Sequence, residues 1–195
     1  FVNGGVEAAA ASIVRQASAK IVELGADTIT IEIPNLQDLI SGSGVISHEF
    51  KWDLIDYLAG VPNAPVNSLE EMLELGLIHE ALTPGMRRRN APESRETDAY
   101  AAALAKREPL KNAAVSVMEA AQVDALIYPT MREPPSFIGQ PQRGSNCSLS
   151  ANTGLPALSI PAGWTRGLPI GLELLGRSLD DVRLVALGYA YEQAT

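Results

Sequence analysis

The chain has 195 residues, 46% of them apolar, which is enough to bury a sizeable core and argues against global disorder. Its formal net charge of −8 lacks the basic footprint that nucleic acid or an anionic membrane surface requires of a partner. A single cysteine, Cys147, excludes a disulfide framework within the chain and a multi-cysteine zinc site, and no apolar run approaches the roughly 20 residues of a membrane span.

Val6, Ala10, Ile13, Val14, Ala17, Ile21 and Leu24 recur at spacings of three and four, which predicts an amphipathic helix closed by Gly25. Ile29, Ile31 and Ile33 then alternate with Thr28, Thr30 and Glu32, the pattern of a half-buried strand that Pro34 ends. Leu36–Ile40 and His48–Leu58 read as helices, and 60–65 as a loop. Ser68 with Glu71 forms a capping box ahead of a short helix, Leu69–Leu75. Thr83-Pro84-Gly85 reads as a turn, and Arg87-Arg88-Arg89 as a solvated loop face. Alanine dominates 93–122, which predicts one long bent helix, or two in succession, with Pro109 kinking or dividing the run near Glu108.

The last third changes character. Residues 124–129 (DALIYP) are a short, nearly continuous apolar run, as expected of a central parallel strand buried on both faces. A loop rich in Pro and Gly follows over Thr130–Ser145, then a short helix over Asn146–Thr153 and strands over Ala157–Ile160 and Pro169–Leu175. Ser178 and Asp181 make a second capping-box pattern before a helix over Leu179–Ala194. That helix is apolar on almost every side and should pack on a sheet or on more protein. Strands alternating with helices, one of them half-polar, predict an α/β fold with a mixed sheet flanked by helices.

Chemistry is sparse. There is no G-x-S-x-G, no phosphate-binding glycine motif and no H-E-x-x-H spacing at His48 or His79, so no metal site is expected. Glu70 and Glu71 are adjacent and point about 100° apart on a helix, a solvated face and not an acid–base pair. Cys147 reads as a buried small apolar residue, with a thiol activated at a helix N-terminus as the alternative. The segment Asn146–Thr153 concentrates Asn, Cys, Ser and Thr between a loop and a strand, which suits either a ligand site or helix capping.

Asn146–Gly163 (NCSLSANTGLPALSIPAG) resembles the C-terminal signature of the amidase-signature family. So do Gly167–Gly176 (GLPIGLELLG), the strand and proline of 124–130 (DALIYPT), and the final helix ending in Ala190-Tyr191-Glu192-Gln193. Glu49–Leu54 and Tyr57-Leu58-Ala59 are similar to members acting on peptide-like and general amides. The resemblance is strongest over 124–195 and extends over 1–195 as a partial domain. It implies an α/β/α fold around a large mixed sheet and amide hydrolysis by a Ser–cis-Ser–Lys triad, with no metal or organic cofactor.

The triad itself is not matched here. The chain has no Ser-Ser pair, and its lysines, Lys20, Lys51, Lys106 and Lys111, stand in unrelated stretches. No catalytic residue is therefore assigned. The resemblance implies a substrate-pocket wall from the Thr130–Ser145 loop and the start of the following segment, specifically Met131, Asn146, Cys147 and Ser150. A chain beginning at Phe1 reads as a fragment or processed product, inactive alone. Its expected partners are the missing N-terminal half or a second copy, with a small amide as substrate of the complete enzyme. The alternative is a non-catalytic module for a small ligand or a protein. One unpaired cysteine makes cytoplasmic the default location.

Overall fold

The computed structural model describes residues 8–195. They divide into two compact units, one of residues 8–41 and 107–195 and one of residues 42–106.

In the first unit, helix α1 (Ala8–Glu23) buries Ala10, Ile13, Val14 and Ala17, as the three-four spacing predicts; Val6, the first position of that pattern, lies outside the described residues. Its end is a Schellman motif. Gly25 takes φ +93°, the Ala26 N–H reaches the Ile21 carbonyl and the Gly25 N–H that of Val22. Helix α2 spans Leu36–Ile40. Helix α6 (Asp98–Ala120) begins in the second unit and ends in the first. It runs through Pro109 as a single helix, so that proline does not divide it. Its C-terminal part buries Leu110, Ala114 and Met118.

Three strands follow: β1 (Leu126–Pro129), β2 (Ala157–Thr165) and β3 (Leu168–Leu175), in sheet order β1-β3-β2. Both ladders are antiparallel. This corrects the parallel pairing expected of 124–129: burial on both faces comes from helices above and below, which an antiparallel strand experiences equally. The β2–β3 hairpin turns on Arg166 (φ +50°) and Gly167 (φ +75°), the left-handed pair a two-residue type I′ turn needs. It carries β2 five residues past the predicted end at Ile160.

Helix α7 spans Ser148–Thr153 and α8 spans Asp181–Glu192. One face of the sheet meets Leu36, α6 and α7 through Leu126, Tyr128, Leu149 and Leu175. The other meets α1 and α8 through Ile160, Leu172, Leu174, Leu184 and Tyr191. This is the expected α/β arrangement, a sheet with helices on both sides. The Ser178 capping box does not form. Asp180 is the N-cap and its carboxylate accepts from the Arg177 N–H, so α8 starts two residues later than predicted.

The predicted strand at 28–33 also does not form. Ile31 and Ile33 still pack against the first core, but the stretch joins no ladder among the described strands. An alternating pattern supplies a strand's faces; it cannot supply a partner for the backbone.

The second unit holds α3 (Ile46–Ala59), α4 (Leu69–Glu74), α5 (Thr83–Asn90) and the start of α6. The first capping box is present: the Glu71 N–H donates to Ser68 Oγ, and Glu71 Oε2 accepts from the Asn67 N–H. Thr83-Pro84-Gly85 opens α5 and is not a free turn, because proline suits a first helical turn, where its missing N–H has no partner to lose. Arg87-Arg88-Arg89 accordingly closes that helix and is not a loop; Arg87 and Arg88 are exposed, while Arg89 stacks on the Phe50 ring at 5.2 Å.

Candidate functional site

The site is built where β1 ends. Backbone pairing continues one residue past the strand, with the Thr130 N–H on the Gly171 carbonyl at 3.0 Å. The Pro/Gly loop then leaves and returns. A bridge between Met131 and Ser145 and an Arg132 N–H to Gly144 carbonyl bond at 2.6 Å close its base. Asn146 secures the return: its N–H donates to the Thr130 carbonyl at 3.1 Å and its Nδ2 to the Pro129 carbonyl at 2.7 Å. Gln142 braces the loop from within, accepting from the Ser136 N–H and donating to the Arg143 carbonyl. Phe137 and Ile138 project fully exposed from the tip.

Cys147 is the residue before α7 and is exposed, which corrects the reading of it as a buried apolar residue. The Ser145 hydroxyl beside it, and its place at a helix start, put the thiol on a polar rim and not in the core. Ser145 Oγ donates to its Sγ at 3.0 Å. Both histidines belong to the other unit, so Cys147 has no imidazole within its own.

One turn into α7, Ser150 Oγ lies 2.7 Å from Glu173 Oε1 and 3.2 Å from the Cys147 carbonyl. Glu173 is only 4% exposed and stands in the otherwise apolar face of β3. Its Oε1 also accepts from the Tyr128 phenol at 2.8 Å. Tyr128 is opposite Glu173 on β1 and Ser159 is opposite it on β2, so the three form one row across the sheet. A buried carboxylate is tolerated when hydrogen bonds satisfy it, and here neutral hydroxyls do so. Burial, followed by the charge of Glu173 and its hydrogen bond, pushes the Tyr128 hydroxyl far above its usual pKa and keeps it a donor.

Beside this row, Thr130 Oγ1 and Ser159 Oγ are 2.6 Å apart. Gly171 makes the pair possible, since a Cβ there would lie 2.7 Å from Ser159 Oγ and 2.9 Å from Thr130 Oγ1. Of the four residues expected to line a pocket, Asn146 bonds the Pro129 carbonyl, Cys147 the Ser145 hydroxyl and Ser150 the Glu173 carboxylate, while Met131 bridges to Ser145 through its backbone. Sequence reading missed Tyr128, Glu173, Thr130, Ser159 and Gly171. The signal for Glu173 was present, an acidic residue inside the apolar GLELL run. A shallow depression of about 470 Å³ lies at the end of α7, between Gly154–Pro156 and Ser178–Asp181; of the four predicted wall residues only Ser150 lines it. Among the described residues no group of three His, Cys, Asp or Glu side chains is placed to hold a metal, and no helix is long and apolar enough to cross a membrane.

The amidase family model matches residues 2–185. The glutamyl-tRNA(Gln) amidotransferase A subunit of Moorella thermoacetica is 28% identical over the whole of this chain, which spans 43% of that protein. Its counterpart in a Synechococcus strain is 31% identical over 93% of this chain and 38% of its own length. Among solved structures, the native peptide amidase of Stenotrophomonas maltophilia superposes with a TM-score of 0.76 at 26% identity, over 95% of this chain and 39% of that one. The structure described as PAM12A gives 0.77 at 28% identity, over 95% of this chain and 40% of that one. The chain belongs to the amidase-signature family and spans about two fifths of the length of these relatives, corresponding to their C-terminal part.

Proposed function

We propose that the chain is the C-terminal part of an amidase that hydrolyses a linear carbon–nitrogen bond by Ser–cis-Ser–Lys chemistry, with the triad supplied from outside these 195 residues. The observation carrying this is the joint fact of a family match over residues 2–185 and a span of only 38–43% of the amidotransferase relatives. The lysines fit a non-catalytic role: Lys51 donates to the Asn90 and Pro92 carbonyls, and Lys20 pairs with Glu23. In the complete enzyme Met131, Asn146, Cys147 and Ser150 form one wall of the pocket for a small or peptide-like amide. The Tyr128–Glu173–Ser150 network holds that wall to the sheet. A reducing, cytoplasmic setting suits the lone thiol.

The test is turnover. The purified 195-residue chain releases no ammonia from a panel of peptide amides and aryl amides, while the complete gene product does. Sustained hydrolysis by the chain alone, free of longer protein, would place the chemistry within it and overturn the reading.

A further inference from the structure

The direction of the hydrogen bonds at the start of α7 is fixed from beneath. A serine hydroxyl has one proton to give and two lone pairs to receive with. Ser150 Oγ contacts Glu173 Oε1 at 2.7 Å and the Cys147 carbonyl at 3.2 Å, and both are acceptors. The shorter contact, to a carboxylate, takes the proton. Glu173 Oε1 returns none, since it also accepts from the Tyr128 phenol at 2.8 Å. Turning the Ser150 proton outward would forfeit a bond to a carboxylate, roughly twice as strong as one between neutral groups.

The lone pairs of Ser150 have no such partner. Among the described residues no group donates to them. The residue is only half-buried, and its contact with the Cys147 carbonyl lies at the surface. Asn146 is different. Its Nδ2 donates to the Pro129 carbonyl at 2.7 Å, which settles which end of the side-chain amide is which. Its Oδ1 and second N–H meet no partner among the described residues, so Asn146 can answer a ligand group of either sense. Cys147 Sγ already accepts from Ser145 Oγ. Of these three side chains, Ser150 is the one confined to a single sense, that of an acceptor.

We propose that Ser150 Oγ is a specificity-determining acceptor, which takes an N–H of the bound amide. Glu173, 4% exposed beneath it, is the positioning residue that holds the hydroxyl in that sense. The proposal rests on the reading of the chain as part of an amidase with Ser150 in its pocket wall. A ligand oxygen set against Ser150 would meet lone pairs with no proton between them. A ketone or ester of the same shape is therefore disfavoured at this point, by an unmade hydrogen bond and not by a clash.

A matched pair of ligands tests this on the complete gene product. Benzamide and acetophenone share a ring and a carbonyl, and differ in NH2 against CH3. Their affinities are measured by titration followed by NMR. Benzamide should bind at least about 10-fold more tightly to the parent protein. Ser150→Ala should narrow the ratio to within about 2-fold, and Ser150→Thr, which keeps the hydroxyl, should restore it. A general loss of stability would weaken both ligands and leave the ratio alone. Equal affinities in the parent, or a ratio that Ser150→Ala does not move, overturn the proposal. So does binding of neither ligand below about 10 mM. A ratio lost in Ser150→Ala and not restored by Ser150→Thr points to packing and also counts against it. Ammonia release from benzamide is scored separately. A Ser150-dependent preference without turnover strikes the amidase reading and keeps the acceptor, while turnover with an unmoved ratio does the reverse.

Discussion

Glu173 and Tyr128 are the residues on which the site most depends. Both are buried, and each satisfies the other across the β1–β3 ladder. Tyr128→Phe should cost about 1 kcal/mol at neutral pH, the usual net worth of one hydrogen bond. The pH dependence has a definite sign. The folded state raises the Tyr128 pKa above its ordinary value of 10.0, so the folded state holds the proton more tightly than the unfolded chain. Stability from this group is complete below about pH 10 and is lost as pH rises beyond it. Urea midpoints measured between pH 8 and 11 should fall above pH 10 in the parent chain and fall less steeply in Tyr128→Phe. Tyr100 also has a raised pKa, through its hydrogen bond to Glu49, but it is exposed enough that no comparable effect is expected there.

At the scale of elements, α8 shows how closely a helix lies on this sheet. Its inner face is Leu184, Gly188 and Tyr191, and a Cβ on Gly188 would come within 2.6 Å of Leu158 Cδ2. Gly188→Ala adds a group that the tip of Leu158 can yield to, and gains about 1 kcal/mol of helix propensity, so it should be near neutral. Gly188→Leu must push the helix off β2 and should cost about 1–3 kcal/mol, read as a lower urea midpoint. Elements of this kind were legible from the residues alone. The three-four spacing found α1 and the box at Ser68–Glu71 found α4, because a helix satisfies its own backbone within a short window. What was not legible depends on partners distant in sequence. Residues 28–33 have a strand's alternation but no ladder partner among the described residues, and 126–129 pairs antiparallel with residues 43 to 49 positions later. The polar clustering of 146–153 left a ligand site and helix capping equally open, and Asn146 and Ser150 were named as wall residues only through the family resemblance. Glu173 became part of the site only once the register set it opposite Tyr128 and below α7.

At the scale of the whole molecule, exposed apolar surface is the dominant feature. Val182, Val185 and Tyr189 form a stripe along the outer side of α8 and are 61–83% exposed, with Leu179 just ahead of the helix 92% exposed. Phe137 and Ile138 add a second apolar spot. Contiguous patches of this kind associate in water. The isolated chain should therefore be a dimer or larger in light scattering at micromolar concentration, and the complete protein should show less self-association. A monodisperse monomer of the isolated chain would contradict this.

The solitary thiol has a practical value independent of any chemistry it performs. Cys147 is the only cysteine in 195 residues and it is exposed, one residue before α7 and bonded to Ser145 at the closed base of the loop. A maleimide fluorophore therefore attaches at one address without engineering. The dye would report, by colour and by polarisation, every event that reaches the rim. A ligand reaching this rim, or a loosening of the loop, would become an optical signal from a chain that needs no substitution.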